Sequence, residues 1–315
     1  MTRLLKYLTQ YRIRDMVEMI RNGKSEALPC SLSLSGKTAV ITGATSGIGL
    51  ETARLFTEKR AELVCVNRDR SKSEALKKEL EGKYGARVNA VLCDFTSLAE
   101  VRRACDELVA LGKPIDIFIA NVGVYYSDQT FTPDGIETVF QVNHLASFLM
   151  IHRLTEKFIA ENRARIVYVN SEGHRFSLAG IHTEDLEWKR HRYSGLKSYG
   201  AAKTAQLLTM LRFADLFRES RVTINAMHPG NVRTNIGAQN GERYLRYKER
   251  HVLKSARSPV DSAKALYYLA ASPEMAGVSG RYFSFTTEER PAPHARDRDA
   301  IEPVWRKSLE LCGTS

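Results

Sequence analysis

Acidic residues are in deficit in this chain: 36 Asp and Glu stand against 47 Lys and Arg, a net charge of +11. Such an excess suits nucleic acid, an acidic membrane surface or a phosphate-rich cofactor. The basic residues are spread along the sequence rather than clustered with aromatics, which argues against nucleic acid. Long hydrophobic runs are lacking too. No stretch approaches the ~18 apolar residues of a membrane-crossing helix, and no leader pattern opens the chain. Cysteine is scarce and odd in number: Cys30, Cys65, Cys93, Cys105 and Cys312. No two have metal-ligand spacing, so no metal site is expected, and a reducing compartment fits. Cys65 and Cys93 lie in apolar runs and read as buried thiols. Internal repeats and low-complexity segments are absent. A cytoplasmic protein, free or associated with a membrane surface, is the expectation.

What is present is a chain of 315 residues, 43% hydrophobic and 26% charged, enough to bury a full core. Residues 1–35 read as an appendage. Ile13, Met16, Val17 and Ile20 recur at helical spacing among six Lys/Arg and three Asp/Glu. Two readings follow: a peripheral membrane or partner-binding helix, or an amphipathic helix docked on its own domain, the second being preferred. From Gly36 onward, short apolar runs alternate with helix-like segments. The runs are 37–42, 61–67, 88–93, 115–120, 165–170, 222–227 and 281–285. Alternation of this kind argues a parallel, doubly wound α/β sheet of about seven strands with helices on both faces.

Several strand ends carry chemistry. The first runs into Gly43-Ala44-Thr45-Ser46-Gly47-Ile48-Gly49 and then a helix-like segment. Strand, glycine turn and helix offer backbone N–H groups and a positive helix end to a pyrophosphate; an ordinary strand–helix turn is the plainer alternative. The second strand ends Asn67-Arg68-Asp69-Arg70. An acidic residue there would hold a ribose 2′-OH. Arg68 comes first, so NADP(H) is favoured over NAD(H), although a solvated loop arginine would look the same. Asp94 ends the third strand and reads as an acceptor for an adenine amino group or as a helix N-cap. Asn143 lies among apolar neighbours and needs partners, structural or catalytic.

The central stretch is Tyr199-Gly200-Ala201-Ala202-Lys203, inside an apolar, helix-favouring run from Tyr199 to Phe217. Four residues on a helix place both side chains on one face, about 6 Å apart along the axis. A free tyrosine titrates near ~10. A cation at about 6 Å, at an effective dielectric of ~20, favours the phenolate by roughly 3 kcal/mol. That is on the order of two pKa units. A phenol so tuned can exchange a proton with an alcohol or carbonyl oxygen. Alone, the pair also fits a solvated helix face.

In combination these segments resemble the short-chain dehydrogenase/reductase family over residues 36 to about 285. The matching motifs are Thr42 to Gly49, Asp94, Asn121 with Gly123, Asn143, Ser171, Tyr199 with Lys203, and Pro229-Gly230. The closer resemblance is to the retinol-dehydrogenase-like branch. It is carried by Asn67-Arg68-Asp69, Val142-Asn143-His144-Leu145, Arg192-Tyr193-Ser194, His228-Pro229-Gly230 and a tail with Ser279-Gly280-Arg281-Tyr282-Phe283, Pro291, Pro293 and Trp305.

The resemblance implies a single Rossmann-type dinucleotide-binding and catalytic domain, 36–285, with a helical extension at 1–35 and a C-terminal extension at 286–315 packed on it. It implies Tyr199 as acid/base, Lys203 lowering its pKa and holding the nicotinamide ribose, Ser171 on the substrate oxygen and Asn143 in a water-mediated relay. The cofactor site would use Gly43, Thr45, Ser46, Gly47, Ile48, Gly49, Asn67, Arg68, Asp94, Asn121, Gly123, Tyr199, Lys203, Pro229, Gly230, Val232 and Thr234. The substrate would be a small-molecule carbonyl or alcohol, lipophilic and retinoid-like by family resemblance. The segment 231–258, where the family closes over its substrate, is polar and basic here: Arg243, Arg246, Lys248, Arg250, His251 and Lys254, with Tyr244, Leu245 and Tyr247.

Two departures stand out. Ala120-Asn121-Val122-Gly123 replaces the family's Asn-Asn-Ala-Gly, which removes a loop-fixing amide, and Asn170 replaces a serine before Ser171. Other functional classes also fit parts of the chain: a nucleotide-binding regulatory or scaffold protein with little turnover, or a basic membrane- or nucleic-acid-binding module. Contact with a membrane through residues 1–30 and a homo-oligomer are both open at this stage.

Overall fold

The apolar runs become strands because their side chains alternate between two covered faces. In the computed structural model, which describes residues 3–233, 236–247, 249–250 and 256–314, the strands are β1 (Thr38–Thr42), β2 (Glu62–Asn67), β3 (Val88–Leu92), β4 (Ile117–Ala120), β5 (Arg165–Val169), β6 (Thr223–His228) and β7 (Tyr282–Ser284). Every expected strand is present. An eighth, β8 (Thr287–Glu288), was not expected; it pairs antiparallel with β7 at the sheet edge. The order is β3-β2-β1-β4-β5-β6-β7-β8, parallel apart from that last pair. The chain winds outward both ways from β1 and β4. Their C-terminal ends therefore border the crevice where such sheets bind ligands.

Before β1 come α1 (Arg3–Leu8) and α2 (Ile13–Asn22). Then follow α3 (Gly47–Glu58), α4 (Arg70–Tyr84) and α5 (Leu98–Ala110). A short α6 (Thr138–Phe140) passes through a π turn, Gln141–Leu145, into α7 (Ala146–Glu161). The remaining helices are α8 (Gly195–Leu216), α9 (Glu242–Tyr247), α10 (Pro259–Ala271) and α11 (Arg298–Leu311). Two cores result, one on each face of the sheet. Val40 and Val64 meet α5, α7, α8 and α11 on one side. Their neighbours Ala39, Ile41, Leu63 and Cys65 meet α3, α4 and α10 on the other.

The extensions divide differently. Trp305 of α11 is buried edge-on against Phe148 and Phe213, with ring centroids 5.0 and 4.9 Å away. The Oγ of Ser308 meets His144 Nε2 at 2.7 Å, tying the tail to the π turn. At the other end, α2 lies against the domain, as the preferred reading expects, but in an orientation that periodicity alone did not give. It docks through its polar side. Asp15 and Asn22 are buried, whereas Ile13, Met16, Val17 and Ile20 are exposed. The Nδ2 of Asn22 donates to Glu289 at 3.1 Å, and Arg290 lies 3.8 Å from Asp15. These polar contacts outweigh the apolar pattern because the facing surface is itself charged.

Trp305→Ala should cost about 3 kcal/mol or more, the usual loss for a buried aromatic truncated to a cavity. Urea unfolding of the two proteins checks this, and an unchanged midpoint would mean the tail does not contribute to the core.

Candidate active site

The site is assembled where β5 ends against α8. Asn170, the first residue after β5, is buried. Its Nδ2 donates to the Lys203 carbonyl and to Gln206 Oε1, both at 3.0 Å, and its Oδ1 accepts from the Ser171 N–H at 2.8 Å. One amide thus fixes the strand end, the serine and α8 relative to one another. Glu137 makes a second tie. It is fully buried, caps α6 through the N–H groups of Val139 and Phe140, and accepts from Ser198 (2.8 Å) and Tyr193 (3.1 Å). Burial raises its carboxyl pKa.

Ser171, Tyr199, Lys203 and Asn143 are brought together. Tyr199 and Ser171 face each other over Gly173, where one added Cβ would meet both Tyr199 Cε1 (2.5 Å) and Ser171 Oγ (3.1 Å), and Oγ accepts from the Gly173 N–H at 2.9 Å. The phenol ring abuts Gly173. A Cβ there would come within 2.5 Å of Tyr199 Cε1, so only glycine leaves the ring its place. Lys203 Nζ is 5.8 Å from the centroid of the Tyr199 ring and donates to the Val169 carbonyl (2.9 Å) and Gln206 Oε1 (3.1 Å). The loop after β4 passes alongside. A Cβ on Gly123 would lie 3.9 Å from Lys203 Nζ and 3.5 Å from Asn143 Oδ1. Asn143 sits in the π turn, and its carboxamide brackets Val124, accepting from its N–H (2.7 Å) and donating to its carbonyl (2.9 Å).

The electrostatics correct one expectation. Burial raises the Tyr199 pKa, with the Ser171 hydroxyl offsetting part of the shift, rather than Lys203 lowering it. Burial likewise drives Lys203 down to about 7. The reason is that desolvation disfavours both charged forms, and Nζ is turned to Val169 and Gln206 instead of the phenol oxygen. A neutral phenol is the proton-donating form.

The crevice across β1 and β4 fits a dinucleotide. Gly43 has φ +70°, and a Cβ on Gly49 would stand 2.1 Å from the Gly43 carbonyl oxygen, so helix and turn touch backbone to backbone. The first turn of α3 has no side-chain cap, because Ser46 at its N-cap makes none. Thr45, Gly47 and Ile48 belong to the same turn. The amide lost from the usual loop motif is made good by others. Asn121 Nδ2 donates to the Thr42 and Gly43 carbonyls, and Thr42 Oγ1 accepts from the Asn121 and Val122 N–H groups.

Asn67 is buried. Its Oδ1 accepts from Ala44 N–H at 2.7 Å, while its Nδ2 has no protein partner among the described residues, a donor left for a ligand. Arg68 is exposed. Asp69 is engaged as the N-cap of α4, accepting from Lys72 N–H at 3.0 Å. Asp94 is not the cap of α5, which is Ser97; its Oδ1 takes the N–H and hydroxyl of Thr96. On the far wall, the Pro229 carbonyl accepts from Ser262, Gly230 has φ +81° against Phe285, and Val232 bridges to Arg257. Thr234, Lys248, His251 and Lys254 lie outside the described residues, as do the side chains of Arg243 and Tyr247.

Other residues at the site were not singled out in the sequence. Tyr125 stands edge-on to Tyr199 at 5.9 Å and stacks on Tyr244 at 5.1 Å. Asn240 holds this wall closed, accepting from Ser127 N–H and donating to the Tyr125 carbonyl. His174 clamps the serine loop. Its Nδ1 donates to the Ser171 carbonyl (2.8 Å) because its Nε2 accepts from Ala292 N–H (3.1 Å), and burial holds it neutral with a pKa of about 3. Gly173 had a visible signal, a glycine two residues past the serine. Gln206 and His174 had none, since their partners are distant in sequence.

Comparison with known proteins agrees with this geometry. The family model described as short chain dehydrogenase matches residues 37–182. The chain is 33% identical over 293 residues to human retinol dehydrogenase 13, covering 91% of this chain and 88% of that protein. It is 34% identical over 294 residues to mouse retinol dehydrogenase 14, covering 89% and 87%. Among solved structures, an uncharacterised protein from Mycobacterium paratuberculosis superposes with a TM-score of 0.67 at 26% identity, covering 90% of this chain and 96% of that one.

The depressed pKa of Lys203 gives a pH prediction. Between about 7 and 10.5 the unfolded chain binds a proton at this lysine that the folded protein does not. The wild type therefore gains stability from Lys203 as pH rises through that window, by up to ~1.4 kcal/mol per unit. Lys203→Met removes this dependence. Its stability relative to wild type should fall steadily from pH 7 to 10, as measured by urea unfolding of the nucleotide-free proteins. A difference independent of pH would show that Lys203 is charged when folded.

Proposed function

This chain belongs to the short-chain dehydrogenase family of NAD(P)-dependent oxidoreductases, and from that membership we propose that it exchanges a hydride between NADP(H) and a lipophilic aldehyde or ketone and its alcohol. The observation that carries the reading is the convergence of Ser171 and Tyr199 over Gly173, with Lys203 buried and its Nζ 5.8 Å from the centroid of the phenol ring.

Bound reduced nicotinamide would supply the hydride. The rest is the work of this chain's own residues. Tyr199 gives its phenolic proton to the carbonyl oxygen as negative charge develops there, and the raised pKa keeps that proton in place until it is needed. Ser171 turns its hydroxyl hydrogen to the same oxygen, while the Gly173 N–H holds Oγ in position. Lys203, oriented by Val169 and Gln206, holds the nicotinamide ribose and returns a proton toward Tyr199. Asn143, fixed on Val124, anchors the water that connects this relay to solvent. The turn Gly43 to Gly49 holds the pyrophosphate, Asn67 and Asp94 the adenosine end, and Pro229, Gly230 and Val232 the nicotinamide side. Arg68 takes the 2′-phosphate. Arg68 is exposed, and Asp69 beside it is committed to capping α4. The stacked Tyr125–Tyr244 wall beside Tyr199 supports a lipophilic substrate. A retinoid-like one is suggested by the retinol dehydrogenases among the relatives.

A screen of NADPH oxidation over aldehydes and ketones graded by length and polarity tests the activity, with turnover expected to rise with apolar length. On a substrate so found, Tyr199→Phe should lose about 10²–10⁴-fold in turnover while NADPH affinity, followed by fluorescence titration, stays close to wild type. Turnover near the wild-type rate in that variant would overturn the mechanism. Arg68→Ala should weaken NADP(H) by about tenfold or more, as expected for a lost charge-assisted bond, and leave NAD(H) nearly unchanged. Equal weakening of both nucleotides would remove Arg68 from the phosphate site.

A further inference from the structure

Half of the large apolar side chains that stand exposed among the described residues fall within residues 3–32. On α2 they form one stripe: Ile13 is 83% exposed, Met16 54%, Val17 60% and Ile20 57%. At about 100° per residue this stripe is centred roughly 160° from Asp15 and Asn22, the two residues the helix buries. The orientation is fixed by hydrogen bonds rather than left loose. Asn22 is held by Glu289, Leu28 N–H donates to Thr286 Oγ1 (3.0 Å), and Arg257 donates to the carbonyls of Gly23 (3.0 Å) and Ser25 (2.9 Å). The helix is therefore clamped with its apolar side out.

In α1, Leu4, Leu5 and Leu8 are exposed as well, while Tyr7 anchors the helix, its hydroxyl donating to Asp297 at 2.8 Å. The loop that rests on Tyr7 at Gly180 adds exposed Phe176 and Leu178. That loop continues directly along the chain from the segment that carries Ser171.

We propose that this face seats on a lipid bilayer bearing anionic headgroups. Charge complementarity selects that occupant. Arg14 and Arg21 flank the stripe on one side and Arg12 on the other, all exposed and without an acidic partner among the described residues. Lys24 follows at the helix end, also exposed. The nearest inward acid, Asp15, is turned toward Arg290. An apolar stripe between long cationic side chains suits an interface where aliphatic stems bury and charged heads reach phosphate. A protein partner would need acids matched to each arginine, whereas a lipid surface offers them everywhere. A helix this short lies in the interface and does not span it.

Flotation of the full chain with phosphatidylcholine vesicles, with and without phosphatidylglycerol, tests this. Binding should be at least tenfold stronger to the anionic vesicles and should weaken as salt is raised. Val17→Glu with Ile20→Glu should reduce it at least tenfold with thermal melting and NADP(H) affinity unchanged, since both side chains are exposed. Arg14→Gln with Arg21→Gln should bring anionic and neutral vesicles close to parity. The proposal fails if the wild type does not float with anionic vesicles or if the glutamate variant floats equally well. It also fails if the wild type instead forms a dimer that the glutamate variant abolishes, which would make a second copy the occupant.

Discussion

One buried carboxamide, that of Asn170, sets where chemistry can occur in this protein. Its donor hydrogens reach α8 at the Lys203 carbonyl and Gln206, and its acceptor fixes the Ser171 N–H. Strand end, serine and helix then move as one body. A shift of the strand relative to the helix would break several buried hydrogen bonds at once, each expensive to leave unmade. The convergence of Ser171 and Tyr199 over Gly173 depends on this anchoring. Asn170 makes this tie without supplying any of the proton-transferring atoms.

The same economy recurs around the site. Glu137 ties α6 to the start of α8, His144 joins the π turn to α11 through Ser308, and His174 joins the serine loop to the tail at Ala292. Burial raises the Glu137 carboxyl pKa and holds the His144 and His174 imidazoles neutral, and each of the three groups serves as a fixed bracket. The terminal extensions are thereby coupled to the chemistry without contributing a reacting atom. Lys203 is the exception, since its pKa of about 7 leaves its charge open to neighbouring charges. The negative phosphates and ribose oxygens of a nucleotide would favour the ammonium, and that is the form a proton relay requires.

The N-terminal helices show the opposite use of polarity. Burial normally selects the apolar side of an amphipathic helix. Here the surface that receives α2 presents Glu289 and Arg290, so the polar side matches it and the apolar side is left out. An exposed stripe held by specific hydrogen bonds costs solvation in water, a cost that the proposed lipid surface would relieve.

Most of the fold was legible in the sequence. Seven apolar runs at strand length, separated by helical periodicity, required a parallel sheet covered on both faces. The glycine turn and the Tyr199–Lys203 pair stood out through short spacings along the chain, Asn143 as a polar residue among apolar neighbours, and Ser171 only through the family resemblance. What the sequence could not decide was anything that rests on distant partners. The sign of the Tyr199 shift follows from burial, which spacing does not measure. The roles of Asn170, Gln206, His174 and the Tyr125–Tyr244 wall arise from contacts across tens of residues. The outward turn of α2 was hidden for the same reason. Periodicity identifies two faces of a helix, but only the charge of the surface it meets, brought there by tertiary folding, determines which face is buried.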